Sequence, residues 1–480
     1  MRYAQDHACH DGKRLVDPSV FESVTATGLV NSACAGDSYK RVEEALSKYR
    51  FPAGSVIAIA LPNSLGLLNL FVAVLNLGLV PALLAPGTPT KRLGRTLDSF
   101  RARALVKGKI SRAQQEKIGI TNREDFLSWS IADFGDRDTV SISGEVIITT
   151  SGTSSDFSSG CVHNFGSLLR NARRHAESIG QRSVDTVLIN LPIYYSTALV
   201  AQFLAACSTG SKIVISGAPF NVRQYLDDIE HYEVTISSLT PVLLRLLNSC
   251  SSSRICQSLK KMTVGGDFLP NDDVRQFLEA YPDKELYLTY GITEAGPRVS
   301  TCAAHLVTEE RWTSVGVPID GTDTKIMSVG DDPTVGELLV SSDTLLKRKI
   351  GASVSDPTSK NDGKRWLSTG DIFRKDKDGY LFFLNRKTDF IVVGGEKVNL
   401  AAIRGFILEM PEVVNCSTRV LHDNGSVRGY ALNLLCDSEL VDEDSKGNIV
   451  NRVENSLRMV ERPININLEL VNKNSINVHK

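Results

Sequence analysis

The 480-residue sequence contains no CxxC pair, and its nine cysteines are scattered singly along the chain. Neither a disulfide framework nor a zinc site is therefore expected, and a reducing cytoplasm fits best. An excess of charge is also absent, because 54 Lys and Arg residues face 55 Asp and Glu residues, for a formal net charge of −1. This balance gives no electrostatic reason to expect nucleic acid or an anionic membrane surface as a partner.

Targeting and membrane-spanning signals are weak. The N-terminal residues lack the apolar core of a signal peptide. One apolar stretch, Leu65–Ala85, is long enough to suggest a membrane span, but Asn69 and Asn76 interrupt it and Pro81 breaks it near its end. We therefore expect no membrane span, and instead a buried helix followed by a buried strand, as in the core of an α/β protein.

The pattern of elements indicates an α/β fold with more than one unit. At roughly 150 residues per domain, the length suggests about three units. Short β-branched runs alternate with amphipathic stretches, which predicts parallel sheets covered by helices. The segments become shorter and more strand-like after about Gly321, and Val398–Met410 is predicted to be a helix of a small α+β unit. The predicted boundaries are a large domain over 1–385, a hinge over 386–390 and a small domain over 391–480.

A polar loop follows an apolar strand at Ile147–His163, IITTSGTSSDFSSGCVH, and leads into a predicted helix at Gly166–Ile179. Hydroxyl groups and backbone N–H groups after a strand are suited to hold phosphates. The Walker A pattern GxxxxGK[ST] is absent from the chain. A flexible Ser/Gly surface loop remains the alternative.

Two later segments add groups that suit a nucleotide. In Leu286–Gly296, Tyr290 stands at the end of a strand as an exposed aromatic that could stack on a base, and Glu294 offers a hard oxygen for Mg²⁺. In Trp366–Arg386, Asp371 follows a tight Thr-Gly turn, as a carboxylate that accepts both ribose hydroxyls would. Taken singly, these segments could also be ordinary loops or solvent-facing turns.

In this order, the segments resemble the adenylate-forming superfamily, which includes acyl- and aryl-CoA synthetases, luciferases and the adenylation domains of peptide synthetases. The likeness covers nearly the whole chain. The motifs that carry it are TSGTSSDFSSG at 150–160, PIYYSTAL at 192–199, GGD at 265–267, YGITE at 290–294, STGD at 368–371, GYLFFLNR at 379–386 and VGGEKV at 393–398.

The resemblance implies a fold and a set of site residues. The fold would be a large N-terminal domain of parallel and mixed sheets covered by helices, with a small distorted barrel and a small mobile α+β C-terminal lid. Lys480, Thr293 near the α-phosphate and Arg386 near the ribose would be catalytic, and Glu294 would bind Mg²⁺. The nucleotide would contact Thr150, Ser151, Gly152, Thr153, Ser154, Gly266, Asp267, Tyr290, Gly291 and Asp371, and the acid would contact Tyr195, Ser196, Gly265, Ala295 and Gly296.

The implied reaction is attack of a carboxylate on the α-phosphorus of ATP, which yields acyl-AMP and pyrophosphate. The acyl group would then pass to the thiol of CoA or of a phosphopantetheine on a separate carrier protein. Family members that activate amino acids place an Asp after the aromatic position to bind the ammonium group, whereas here Ser196 follows Tyr195. Because a buried ammonium without a carboxylate partner is costly, an aryl or acyl acid is favoured over an α-amino acid.

The chain departs from the family pattern at two lysines. Ser159 stands where the phosphate loop of the family has a Lys, and losing that charge-assisted contact costs about 1.5–3 kcal/mol. At the C-terminus, Val478 takes the register position of the family's catalytic Lys, which leaves three alternatives for that role: Lys480, Lys473 or no lysine. These departures leave two alternatives to the acid–thiol ligase: direct use of acyl-AMP in amide, ester or ring formation, or a degenerate, non-catalytic AMP-binding protein.

Overall fold

A computed structural model of the protein describes residues 14–27, 38–120, 122–137, 141–150, 159–217, 220–249, 255–328, 331–351, 356–393, 396–423 and 426–471. The α-helices are α1 Tyr39–Ser47, α2 Leu65–Asn76, α3 Thr90–Ser99, α4 Arg112–Ile118, α5 Phe165–Ser178, α6 Ala205–Thr209, α7 Val222–His231, α8 Pro241–Ser249, α9 Asn271–Ala280, α10 Leu400–Leu408 and α11 Lys446–Ser456. A π-helix spans Thr197–Leu204. Short 3₁₀-helices span Pro18–Ser23, Thr293–Ala295, Ala304–Leu306, Glu309–Arg311, Lys387–Asp389 and Met459–Glu461.

The strands fall into several sheets. They are β1 Val24–Ala26, β2 Val56–Ala60, β3 Val80–Leu83, β4 Ala104–Lys107, β5 Asn122–Phe126, β6 Trp129–Asp133, β7 Glu145–Thr150, β8 Ser159–Asn164, β9 Thr186–Ile189, β10 Lys212–Ile215, β11 Ile236–Leu239, β12 Lys261–Gly265, β13 Glu285–Gly291, β14 Arg298–Ala303, β15 Val317–Pro318, β16 Thr322–Ser328, β17 Val335–Ser342, β18 Arg348–Ile350, β19 Thr358–Asn361, β20 Lys364–Lys375, β21 Leu381–Arg386, β22 Phe390–Val393, β23 Glu396–Asn399, β24 Val413–Asp423, β25 Ser426–Asp437 and β26 Asn465–Val471.

Two eight-stranded sheets form the body of the N-terminal part. The first has the order β1-β10-β9-β11-β12-β13-β14-β15 and is parallel from β1 to β13. The second has the order β18-β8-β7-β3-β2-β4-β6-β5, with a parallel centre and antiparallel edges. Helices α2 and α5 and the π-helix contribute to one hydrophobic core with both sheets. The α/β prediction, with parallel and mixed sheets covered by helices, is thus confirmed.

Strand β2 shows how the sequence places its residues in two cores. Its five residues, VIAIA, are all buried. Because successive side chains of a strand point to opposite faces, Ile57 and Ile59 join the core shared by the two large sheets, while Val56, Ala58 and Ala60 join a second core together with residues of α3. A strand buried on both faces is expected to be apolar throughout, as this one is.

The apolar stretch Leu65–Ala85 forms a helix and a strand, as expected. Helix α2 begins after Ser64, whose Oγ accepts a hydrogen bond of 3.1 Å from the backbone N–H of Leu67. Ten of its residues are buried, and Pro81 lies in β3. In the part of the chain that the structure describes, no helix combines the length and apolar character needed to cross a membrane.

A smaller antiparallel sheet follows, with the order β16-β17-β20-β19 and with β21 paired to β20. It packs through Leu338, Val340, Leu367 and Phe373 into a cluster that also contains Tyr290 of β13. This contact places the end of β20 beside the end of β13, and so positions the candidate site.

The described C-terminal residues have a core of their own, and the boundaries of a separate unit over 391–480 stay a prediction. This core contains Ile391, Ile403 and Leu432 and is built from the β22–β23 hairpin, the sheet β24-β25-β26 and the helices α10 and α11. The helix predicted over Val398–Met410 starts later, at Leu400, because Val398 and Asn399 belong to β23. The Asn399 side chain caps α10 by accepting hydrogen bonds from two backbone N–H groups of its first turn.

Candidate active site

Three segments that are distant in sequence meet beside the C-terminal end of β13. The hydroxyl of Tyr290 donates a 2.7 Å hydrogen bond to Oδ2 of Asp371, and Oδ1 of Asp371 lies 2.9 Å from Nε of Arg386. Asp371 and Arg386 are neighbours because they are directly paired in the antiparallel register of β20 and β21. The structure therefore brings together three of the residues that the sequence assigned to a nucleotide site.

Tyr290 is buried rather than exposed, which corrects the expectation of an exposed aromatic. Only 8% of its surface is accessible, and its ring lies edge-on to Phe373 with 4.8 Å between ring centroids. Burial, together with the negative charge of Asp371, raises the pKa of the Tyr290 hydroxyl well above its ordinary value. The hydroxyl thus remains protonated and serves as a fixed donor to Asp371.

Asp371 has an oxygen, Oδ1, that is ion-paired with Arg386 but makes no hydrogen bond among the described residues. Its side chain is only 1% exposed, and burial raises the pKa of its carboxyl group, while the Arg386 guanidinium opposes that shift. Although Arg386 is close, Oδ1 has no hydrogen bond of suitable geometry with any residue that the structure describes. A buried acceptor that makes no hydrogen bond is costly. The hydroxyl groups of a ribose could donate hydrogen bonds to this oxygen.

Glu294 is the carboxylate that the sequence assigned to a metal at this site. It lies in the 3₁₀-helix after β13, and its Oε1 is 2.6 Å from Nζ of Lys349. Within the described ranges, no group of three or more His, Cys, Asp or Glu residues could hold a metal ion. One carboxylate fits Mg²⁺, which usually keeps several waters and takes further oxygens from substrate phosphates.

Lys349 is a residue of this site that the sequence alone does not indicate. It lies in β18, where it pairs with Cys161 of β8, and the next pair joins Ile350 to Gly160. Ser159, at the position of the family's loop lysine, is the first residue of β8. Burial lowers the pKa of Lys349 and the Glu294 carboxylate raises it, with a net shift upward, so the ammonium stays charged. In the sequence this residue is only one of a short basic run at 347–349.

The phosphate loop is only partly described. Thr150 ends β7, where its backbone pairs with Ser159. Ser151, Gly152, Thr153 and Ser154 lie outside the described residues, as do Lys473 and Lys480.

Thr293 lies next to residues that the sequence assigned to the acid substrate. The Oγ atoms of Ser196 and Thr293 are 3.1 Å apart, and the rings of Tyr194 and Tyr195 contact each other at 4.7 Å. The backbone oxygen of Ala295 accepts a 2.9 Å hydrogen bond from a threonine hydroxyl of the loop after β17. The structure thus brings Ser196 and Thr293 together. It also holds the 3₁₀-helix Thr293–Ala295 against the loop after β17.

The glycines of the site allow close backbone approach. A Cβ on Gly291 would lie 2.5 Å from the backbone oxygen of Pro297, and one on Gly296, whose φ is +106°, would lie 2.6 Å from a backbone oxygen. Gly265 ends β12, and the next two residues, Gly266 and Asp267, are exposed. Asp267 accepts a hydrogen bond from the backbone of Phe268 and belongs to the rim of the site rather than to the Tyr290–Asp371 contact.

His163 of β8 is fully buried close to this region. Burial lowers the pKa of His163 from its ordinary value of 6.5 to about 4, although the Thr293 backbone and the Glu294 carboxylate oppose the shift. His175 of α5 is also fully buried, and its pKa is lowered for the same reason.

We expect this burial to make the protein sensitive to acid. Because the unfolded chain binds protons that the folded chain excludes, the stability is fully present above pH 6.5 and is lost as the pH falls towards 4. For His163 alone the loss at pH 5 is about 2 kcal/mol. Melting temperatures measured between pH 7.5 and 5 should fall less for His163→Gln than for the unchanged protein. The exposed His231→Gln is the control, and a His163→Gln slope equal to that of the control would contradict the expectation.

Comparison with known proteins agrees with the geometry. The family model described as "AMP-binding enzyme" matches residues 39–348, which is well over half of the chain. The 2-succinylbenzoate–CoA ligase of Lactococcus lactis is 29% identical over 273 residues, which cover 57% of this chain and 56% of that protein. The chain thus aligns with little more than half the length of this relative.

Solved structures extend the likeness to most of the chain. The o-succinylbenzoate CoA synthetase of Bacillus subtilis in complex with its acyl-adenylate intermediate matches with a TM-score of 0.71 at 22% identity, over 90% of this chain and 88% of that chain. The same enzyme in complex with ATP and magnesium ion matches with a TM-score of 0.72 at 22% identity, over 90% of this chain and 89% of that chain. At this identity the likeness establishes the fold. Together with the family match, it confirms the predicted resemblance: this chain belongs to the AMP-binding enzyme family.

Proposed function

We propose that the protein is an ATP-dependent carboxylic acid ligase that forms an acyl- or aryl-adenylate and passes the acyl group to a thiol. The contact between Tyr290, Asp371 and Arg386, with Glu294 four residues after Tyr290, is the observation that carries this proposal. Family membership supports it, as do the CoA ligase activity named for the Lactococcus relative and the adenylate and ATP complexes named for the Bacillus structures.

In this proposal the nucleotide lies along the end of β13. Oδ1 of Asp371, which is ion-paired with Arg386 but makes no hydrogen bond, accepts hydrogen bonds from the ribose, while Tyr290 and Arg386 hold the carboxylate in place. Gly266, Asp267 and Gly291 border the base, and Thr150 to Ser154 border the phosphates. Arg386, which is charged and half exposed, offers positive charge where negative charge develops on the α-phosphate.

Lys349 takes over the role of the missing loop lysine. Glu294 would hold Mg²⁺, which supplies charge neutralisation on the phosphates when bound. The Lys349 ammonium, now bound to Glu294, then turns to the phosphate oxygens as the strongest acceptors nearby. The pairing of β18 with β8 holds this lysine next to the loop that lacks one.

The proposal also covers the acid substrate and the acceptor of the acyl group. Ser196 and Thr293 border the reacting carboxylate, with Tyr195, Gly265, Ala295 and Gly296 around the acid, which is an aryl or acyl acid rather than an α-amino acid. CoA is the favoured acceptor, and the phosphopantetheine of a separate carrier protein is the other. The small domain over 391–480 would act as a mobile lid about the hinge 386–390 and bring Lys480 to the site, in a cytoplasmic enzyme.

Exchange of radiolabelled pyrophosphate into ATP tests the proposal, with a panel of aryl, fatty and amino acids. We expect exchange with at least one aryl or acyl acid and none with α-amino acids. Addition of CoA should then release a thioester, whereas product formation with an amine and no thiol would favour direct use of acyl-AMP. Tight AMP binding without exchange for any acid would contradict the ligase and favour a non-catalytic AMP-binding protein.

A further inference from the structure

Arg298 is a buried cation that has no acidic partner among the residues the structure describes. It begins β14, and only 4% of its surface is exposed. Its Nη1 donates a 2.8 Å hydrogen bond to Oγ1 of Thr289, whereas its Nε has no partner among the residues that the structure describes. No acidic residue of the described ranges forms an ion pair with it. A guanidinium in this position retains hydrogen-bonding capacity that the folded chain does not use.

The neighbours of Arg298 hold it in place without neutralising it. Asn171 of α5 bonds to the backbone of Arg298 twice, accepting from its N–H and donating to its carbonyl, each at 2.9 Å. His175, on the same helix, is neutral at pH 7 because burial, reinforced by the charge of Arg298, lowers its pKa. Burial also lowers the pKa of Arg298, to about 10, so the guanidinium remains charged at neutral pH. Natural proteins rarely bury such a charge without a counter-ion.

The guanidinium lies on the acid side of the proposed site. A Cβ on Gly265 would lie 3.5 Å from Nη1 of Arg298 and 2.4 Å from Oγ1 of Thr289, so Arg298 and Thr289 adjoin the backbone at the end of β12. Arg298 itself pairs with Gly291, two residues before Thr293, which contacts Ser196. Ligands of open α/β sheets bind at this carboxyl end of the strands.

We infer that Arg298 binds a second carboxylate of the acid substrate, so that the preferred substrates are dicarboxylic acids activated at the carboxyl group remote from Arg298. A carboxylate supplies the missing negative charge and accepts from the unused Nε in the two-pronged geometry that arginine favours. Ser196 follows Tyr195 without an adjacent acidic residue, which disfavours an ammonium group, and Arg298 adds a reason to favour an anionic one. This inference rests on the proposed ligase function and specifies its substrate class.

Matched pairs of acids test the inference in the pyrophosphate exchange assay. Suitable pairs are hexanoate with hexanedioate, benzoate with benzene-1,4-dicarboxylate, and 4-oxo-4-phenylbutanoate with 2-succinylbenzoate. We expect at least one diacid to exceed its matched monoacid by about tenfold or more in kcat/KM, as a charged contact would produce. Arg298→Leu should abolish that preference, and Arg298→Lys, which keeps the charge, should retain part of it.

Arg245→Leu is the matched control, because Arg245 is also largely buried but is paired with Asp273 at 2.7 Å. This variant should keep the diacid preference. Melting temperature and AMP binding report whether Arg298→Leu is folded, and if it is not, Thr289→Val decides by removing the hydrogen bond that orients Nη1. The inference, but not the proposed function, would be overturned if the diacid preference survives in the folded Arg298→Leu variant. The same holds if the unchanged protein activates monoacids as well as diacids. Absence of exchange with every acid would instead refute the proposed function.

Discussion

Replacing Asp371 with Ala is expected to weaken the binding of both ATP and AMP by at least about 30-fold, which corresponds to about 2 kcal/mol for a lost charged hydrogen-bond partner. The expected effect is large because Oδ1 of Asp371 is the acceptor proposed for the ribose and both nucleotides carry the same ribose. Isothermal titration with each nucleotide measures it directly. Unchanged affinity would show that the ribose lies elsewhere.

The fold should survive this change. Arg386, the cationic partner of Asp371, has a side chain that is 53% exposed, so it can turn to water when the carboxylate is removed. Asp323→Ala is a matched control, because Asp323 lies in the same small sheet and is ion-paired with Lys364, but its side chain is 58% exposed. Tyr290→Phe should weaken both nucleotides less than Asp371→Ala, because it removes only the donor that positions the carboxylate.

Replacing Lys349 with Met is expected to weaken ATP binding by about 10- to 150-fold, which corresponds to about 1.5–3 kcal/mol for a charge-assisted hydrogen bond to phosphate. AMP binding should change little, because the phosphates beyond the α-phosphate are absent from AMP. This ATP-specific loss separates a phosphate contact from a general disturbance of the site. Equal losses for ATP and AMP would argue that Lys349 only supports Glu294.

A second substitution makes the test of Lys349 sharper. If Lys349 compensates for Ser159, then Ser159→Lys in the Lys349→Met background should restore a large part of the ATP affinity, since it returns a lysine to the adjacent strand. Lys347→Met is the neighbouring control, because the Lys347 ammonium is bound to Glu145 at 2.8 Å and not to Glu294. A failure of Ser159→Lys to restore any affinity would contradict the compensation.

Part of the candidate site could be predicted from the sequence, because local patterns mark two of its residues. Tyr290 ends a buried apolar run and Asp371 follows a Thr-Gly turn, and both positions are recognisable from local pattern alone. Their contact depends on the packing of the smaller sheet against β13, and the β20–β21 register then sets Asp371 beside Arg386. The domain boundaries and the roles of the phosphate loop and of Lys480 stay predictions.

Other features were decided by packing between distant elements. Lys349 meets Glu294 only because β18 joins the edge of the second sheet next to β8, almost two hundred residues earlier in the chain. Tyr290 looked exposed in the sequence, but the smaller sheet covers it through Phe373. Arg298 is buried by the pairing of β14 with β13, which no local pattern in the sequence indicates.

The sequence by itself determined the α/β class, the buried helix and strand at Leu65–Ala85, and the order of the motifs that lie at strand ends. Each of these depends on hydrophobic periodicity and turn residues, which act over a few neighbouring positions. The tertiary structure alone decided which charges face each other at the site and which buried cation has no acidic partner among the described residues. Those outcomes depend on the pairing of edge strands and on burial between sheets, and neither leaves a local pattern in the sequence.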